Sequence, residues 1–150
     1  QGSHSKPEHW LKARSLCSQG VKLAEEGKVE EALALLEDGV AAAPDRAAGY
    51  NDRAQLLRLL QRDEDAMVDL EKALQLTAGK RTRARAQALC QKGVLLRKRK
   101  KDDEARPLFN EAAKLGSSFA KQQAVELNPY AALCNQMLSQ VMRGESEIKL

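Results

Sequence analysis

LCSQGVKLAEEGKVEEALALLEDGVAAAP (residues 16–44) returns in altered form 34 residues later as YNDRAQLLRLLQRDEDAMVDLEKALQLTA (50–78). It returns again as LCQKGVLLRKRKKDDEARPLFNEAAKLGS (89–117), now displaced by 39. The three copies agree in side-chain size more than in identity. Gly20, Ala54 and Gly93 are small, as are Ala32, Ala66 and Ala105 twelve residues further on. Between and around them lie Leu16, Tyr50 and Leu89, then Leu23, Leu57 and Leu96, then Leu36, Leu70 and Phe109. Large and small residues alternating at helical spacing describe two helices that approach closely through the small positions and fill the remaining space with the large ones. One such pair cannot bury its apolar face alone, so a fixed-period repeat predicts stacked pairs that share a continuous core.

Breaks between helices fall where the repeat predicts them. Gly27-Lys28, Arg62-Asp63 and Lys100-Lys101-Asp102 separate the two halves of each copy, and Pro44 ends the first copy because its ring cannot continue a helix. Gly79 is a glycine C-cap at the end of the second. The predicted repeat helices are 7–26, 29–43, 46–61, 64–76, 82–99 and 102–115. The five extra residues before the third copy fall around Gly79 to Arg85, where a longer loop disturbs the stack least. Beyond Gly116, Ser117-Ser118 caps a short helix to about Glu126, and Asn128-Pro129 starts another. The apolar stripe of that last helix (Tyr130, Leu133, Met137, Leu138 and Val141) is expected to cover the open end of the third repeat, with a partner-binding patch as the alternative.

This order of large and small residues resembles the tetratricopeptide-repeat (TPR) family. The resemblance implies an all-α, right-handed TPR solenoid of three repeats (about 13–46, 47–80 and 86–119) with a C-terminal cap over 117–143 and a tail at 144–150. Within that family, Tyr50-Asn51-Asp52-Arg53-Ala54-Gln55, Gly116 to Gln122 and Asn128 to Leu138 closely resemble a group of small animal TPR proteins described as binding heat-shock protein 70. That resemblance implies a cytoplasmic, chaperone-associated adaptor. A scaffold for another client, such as a metabolic enzyme or a ubiquitin-pathway component, is the alternative partner reading.

Composition sets the outer limits. The chain has 150 residues, 43% hydrophobic and only 3% aromatic, with a formal net charge of +4. That is enough for one core, and too little charge to argue by itself for nucleic acid. No apolar run approaches the ~20 residues of a membrane span. Cys17, Cys90 and Cys134 are far apart and odd in number, which fits reduced thiols and offers no zinc-ligand pair. Gln1 to Ser5 read as a tag remnant, and without an initiator methionine the natural protein is expected to begin earlier. His9 is the sole histidine outside that remnant, and no phosphate loop or nucleophile motif is present. The expectation is therefore no catalysis, no cofactor and no metal.

A TPR array presents the first helix of each pair to its concave face. The candidate groove is Arg14, Cys17, Ser18 and Val21, then Asn51, Asp52, Gln55 and Arg58, then Gln87, Gln91, Val94, Arg97 and Lys98. It is polar, with positive charge toward one rim, and suits an extended peptide or a loop of a folded partner. Many TPR co-chaperones grip a C-terminal Glu-Glu-Val-Asp tail with Lys, Asn, Asn, Lys and Arg, because carboxylates need charged donors. At the matching positions this chain has Cys17, Val21, Asp52, Gln87 and Gln91. No cation is kept, and Asp52 repels an anionic tail, so a chaperone contact is expected to use a different surface. The basic runs Lys80 to Arg85 and Arg97 to Lys101 leave nucleic-acid binding as a third reading, although no stacking aromatics accompany them. Trp10 is expected to pack at the edge of the first repeat, with a partner anchor as the alternative. A monomer or weak dimer is the expected state.

Overall fold

The computed structural model describes residues 7–144. The tag remnant read at 1–5 and residues 145–150 of the expected tail lie outside them. The described chain forms α1 (Glu8–Glu25), α2 (Val29–Ala42), α3 (Ala47–Leu59), α4 (Asp63–Leu76), α5 (Arg83–Lys98), α6 (Asp102–Lys114), α7 (Ser118–Glu126) and α8 (Pro129–Met142), with no strand among the described residues. The helices pair as α1 with α2, α3 with α4 and α5 with α6, and the pairs stack in chain order. This is the all-α TPR solenoid that the repeat predicts, with helix ends within a residue or two of the predicted ones.

Size complementarity holds each pair together. An added Cβ on Gly93 would lie 2.6 Å from Cζ of Phe109, and one on Gly20 would lie 2.9 Å from Leu36. The middle pair meets the same need with Ala54 and Leu70, both fully buried. The core follows the stack. Cys17, Ala32 and Leu36 fill the first pair, Tyr50, Leu57 and Leu70 the second, and Leu89, Phe109 and Ala112 the third. A bidentate ion pair reinforces the second. Arg53 donates to both oxygens of Asp69 at 2.8 and 2.7 Å, and its guanidinium lies 5.9 Å from the Tyr50 ring centroid. The Tyr50 hydroxyl in turn donates to the Pro44 carbonyl at 2.8 Å.

Every intra-repeat turn closes in the same way. Lys28, Arg62 and Lys101 donate their backbone N–H to the carbonyls of Leu23, Leu57 and Leu96 at 2.9, 2.8 and 2.8 Å, the six-to-one bond of a Schellman turn. The residue before each donor is left-handed: Gly27 at φ 83°, Gln61 at φ 61° and Lys100 at φ 61°. Only the first copy places glycine there, so the other two carry backbone strain.

Side chains cap the starts of α5 and α7. Thr82 accepts from Arg85 N–H at 3.2 Å, and Ser117 accepts from Ala120 N–H at 3.0 Å. Trp10 is an edge packer. Its indole N–H donates to Asp45 at 2.9 Å, tying the start of α1 to the α2–α3 turn and holding the Asp45 carboxyl below its ordinary pKa.

The C-terminal end departs from expectation in one respect. The third repeat is closed by α7, through the buried Ala120 and Leu127 and through Phe119, whose ring meets Phe109 edge-on at 6.0 Å. The stripe on α8 stays open, with Tyr130, Leu133, Met137, Leu138 and Val141 all 40% exposed or more. Proline at 129 starts a new helix, which packs only lightly on α7.

Two outcomes follow from the packing. Gly93→Ala is expected to cost about 1–3 kcal/mol by overpacking. Phe109→Leu in the same chain should recover part of that by recreating the Ala54–Leu70 pair, read by urea denaturation. Lys100→Gly is expected to raise stability by about 1 kcal/mol by relieving the left-handed strain, read by the same titration.

Candidate protein-binding groove

A cavity of about 700 Å³ opens between α3, α5 and the start of α7. Its α3 wall is Asn51, Asp52, Gln55 and Arg58, and its α5 wall includes Ala86, Gln87, Cys90, Gln91 and Val94. A hydrogen-bonded chain sets the distance between the walls. Arg58 donates to Gln91 Oε1 at 3.1 Å, Gln91 Nε2 donates to the Asn51 carbonyl at 3.0 Å, and Asn51 Nδ2 donates to the Ala84 carbonyl at 2.9 Å. The walls are thus held before any partner arrives, which lowers the ordering cost of binding.

The structure distributes the expected groove residues unevenly. Asp52, Gln55, Arg58, Gln87, Gln91 and Val94 line the cavity together, with Asn51 buried beneath them at 3% exposure. Lys98 lines a smaller adjoining recess of about 210 Å³, where it bonds Asp63 at 2.7 Å. Arg97 is drawn off to α7, bonding Gln123 and, at 3.1 Å, Glu126. The first repeat contributes none of the lining. Cys17 is 1% exposed, Val21 is half-buried in the first-repeat core, and Arg14 and Ser18 face solvent beyond the cavity.

Other segments take the place of the first repeat. Arg81 and Thr82 come from the α4–α5 connection and Arg83 from the first residue of α5, while Leu115, Gly116 and Ser117 come from the α6–α7 turn and Phe119 from the start of α7. The signal for Arg81 and Arg83 was in the sequence, as the five extra residues between the second and third copies. What reads as a harmless loop is a wall of the groove.

Charge in the cavity is set by what is and is not paired. Elsewhere Arg53, Arg62, Arg85, Arg97, Arg99 and Arg106 each hold a carboxylate. Arg58, Arg81 and Arg83 hold none. Arg58 is spent on Gln91, Arg81 reaches only the Lys114 carbonyl at 3.4 Å, and Arg83 has no partner among the described residues. Arg14 also lacks one, outside the cavity. Burial lowers the Arg58 pKa, with the Asp63 charge opposing. Burial also raises the carboxyl of Asp52, with Arg46 opposing. The thiols of Cys17 and Cys90 are pushed up by burial as well, away from the thiolate form that reactivity requires.

Among the described residues, no cluster of three or more His, Cys, Asp or Glu side chains is placed to hold a metal ion. No helix there is long and apolar enough to cross a membrane.

No protein-family model matches the chain. The chain is 50% identical over 136 residues to tetratricopeptide repeat protein 36 of Danio rerio, covering 91% of this chain and 72% of the relative. It is 49% identical over 128 residues to the Drosophila melanogaster homolog of that protein, covering 85% and 69%. It is 46% identical over 130 residues to the Homo sapiens protein, covering 87% and 68%. Among solved structures, the first TPR of Spaghetti (RPAP3) bound to the HSP90 peptide SRMEEVD superposes with a TM-score of 0.68 at 22% identity, covering 81% of this chain and 94% of that one. The second TPR domain of human RPAP3, in complex with the HSP70 peptide SGPTIEEVD, gives 0.63 at 24% identity, covering 78% and 95%. At that identity these two structures speak for the fold.

Asp52 yields a test with a definite sign. Its folded pKa is raised, so its charge costs stability above that pKa, and the cost fades as pH falls toward the ordinary carboxylate value. Asp52→Asn is expected to stabilise the protein at pH 7, by on the order of 1 kcal/mol or less. The difference from wild type should close near pH 3.5–4 in pH-resolved thermal melts.

Proposed function

We propose a non-catalytic adaptor role for this chain, which belongs to the tetratricopeptide repeat protein 36 family. In this reading a segment of a protein partner lies in the α3–α5–α7 groove. The observation that carries it is the cavity itself: about 700 Å³, open to solvent, with walls pinned by the Arg58–Gln91–Asn51 chain. It lies on the helices that a TPR array turns to its concave side.

Heat-shock protein 70 is the partner we favour. The family resemblance points there, and a domain of this fold, the second of human RPAP3, takes an HSP70 peptide. The mode of contact differs from the usual clamp. Of the five clamp positions, Cys17 is buried, Val21 is apolar and Asp52 is acidic. Gln87 is neutral, and Gln91 is committed to Arg58 and Asn51. None supplies a cation for a chain-terminal carboxylate. The contact therefore uses a surface of the chaperone other than its tail, in a cytoplasmic setting.

Nucleic acid fits less well. In the run Arg97 to Lys101, Arg97, Lys98 and Arg99 are paired with Glu126, Asp63 and Glu64 respectively, which lowers the number of cations that run can offer to phosphate.

Binding of this domain to full-length heat-shock protein 70, and to the same chaperone lacking its C-terminal tail, tests the reading by calorimetry. Equal affinity for both is expected. Loss of binding with the tail would restore a clamp, and absence of binding to either would move the search to another client.

A further inference from the structure

The three arginines that line the groove, Arg58, Arg81 and Arg83, hold no carboxylate among the described residues. Arg14 and Arg46 hold none outside it, so the cavity is distinguished by gathering three such cations around one space. Elsewhere on the stack several cations are matched across helices: Lys92 with Glu71 at 2.8 Å, Lys98 with Asp63 at 2.7 Å, Arg99 with Glu64 at 2.9 Å and Arg85 with Glu111 at 2.6 Å. Arg85 and Arg83 lie two residues apart at the start of the same helix, and only Arg85 is neutralised. Arg81 and Arg83 are carried to the cavity by the insertion that lengthens the spacing between the second and third copies. Asp52, the single acid in the lining, has Arg46 as its electrostatic partner and none of these three. Between the arginines the floor is apolar, formed by Ala86, Val94, Leu115 and the 47%-exposed ring of Phe119.

Resting on the adaptor reading, we infer that the groove is a receptor for an acidic peptide segment. Side-chain carboxylates of the partner complete Arg58, Arg81 and Arg83, and an adjacent large apolar side chain packs on Val94 and Phe119. Arg58 is half-buried with no bonded carboxylate, so it gains more from an incoming carboxylate than a solvated cation does, and the exposed Arg81 and Arg83 add two further cations at the mouth of the same cavity. The arginine fork is also suited to bidentate contact. Because the usual clamp positions carry no cation, the segment is held by its side chains, and a free chain terminus is not required. The partner's binding element is then an internal acidic-apolar stretch, which separates this groove from one that reads C-terminal tails.

The test is fluorescence polarisation with a synthetic peptide, amidated at its C-terminus, in which glutamates flank a leucine–phenylalanine pair. A matched peptide with glutamine for every glutamate is the control. The glutamate peptide is expected to bind about tenfold more tightly, and Arg81→Gln with Arg83→Gln should remove about that factor while leaving the thermal melt unchanged. Arg14→Gln, which deletes an unpaired arginine outside the cavity, should leave affinity as it is. Equal binding of the two peptides, an Arg14→Gln effect as large as that of the double variant, or binding only by a peptide with a free C-terminal carboxylate would each overturn the inference. Titrating wild type and the double variant against tail-deleted heat-shock protein 70 separates this from the partner assignment. If both bind the chaperone equally, the acidic-segment site fails while the adaptor reading stands. If neither binds it but the peptide discrimination holds, the site stands and the partner is another protein.

Discussion

Everything in this molecule depends on one steric constraint, the close approach of two helices at a point where one has almost no side chain. Gly93 lies under the Phe109 ring with no room for a methyl group, and Gly20 stands in the same relation to Leu36. That contact sets the distance between the helices of a pair, and the pair sets the surface on which the next one stacks. The middle repeat balances the same sum with Ala54 and Leu70. Interiors at crystalline density tolerate such trades only when total volume is kept, which fits Gly93 facing the large Phe109 where Ala54 faces the smaller Leu70.

On that scaffold the groove is built from parts of unequal regularity. Its α3 and α5 walls are regular repeat helices, fixed by the Arg58–Gln91–Asn51 chain. Its end walls are the lengthened α4–α5 connection with the first residue of α5, carrying Arg81 and Arg83, and the α6–α7 turn with the start of α7, carrying Ser117 and Phe119. The stack thus supplies position, and the irregular connections supply chemistry. The first repeat has a different task. Its would-be groove residue Cys17 is packed against Gly39 in the core, and Trp10 anchors the end of the stack to Asp45.

Ion pairing divides the surface in the same way. Two basic runs that look alike in sequence are paired differently. Arg97, Lys98 and Arg99 are absorbed by acids on α4 and α7, whereas Arg81 and Arg83 remain available. Beyond α7 the apolar stripe on α8 faces solvent, and that helix packs only lightly on α7.

Read alone, the sequence determined the class, the number of repeats, the six repeat helices and the contacts inside each pair. All of these follow from side-chain size at short, periodic spacing, which a single chain displays directly. The Schellman turns were equally legible at Gly27, and less so at Gln61 and Lys100, where the left-handed residue is not glycine. The tertiary structure alone decided which first-helix residues share a cavity, that Arg97 turns toward Glu126, and that the insertion forms a wall. Those outcomes depend on pairings across 26 to 40 residues, as in Arg97 with Gln123 and Gln91 with Asn51, and on how the superhelix curves. Periodicity places a residue on a face of its helix, but which cation finds a carboxylate is settled only when the neighbouring helices are in place.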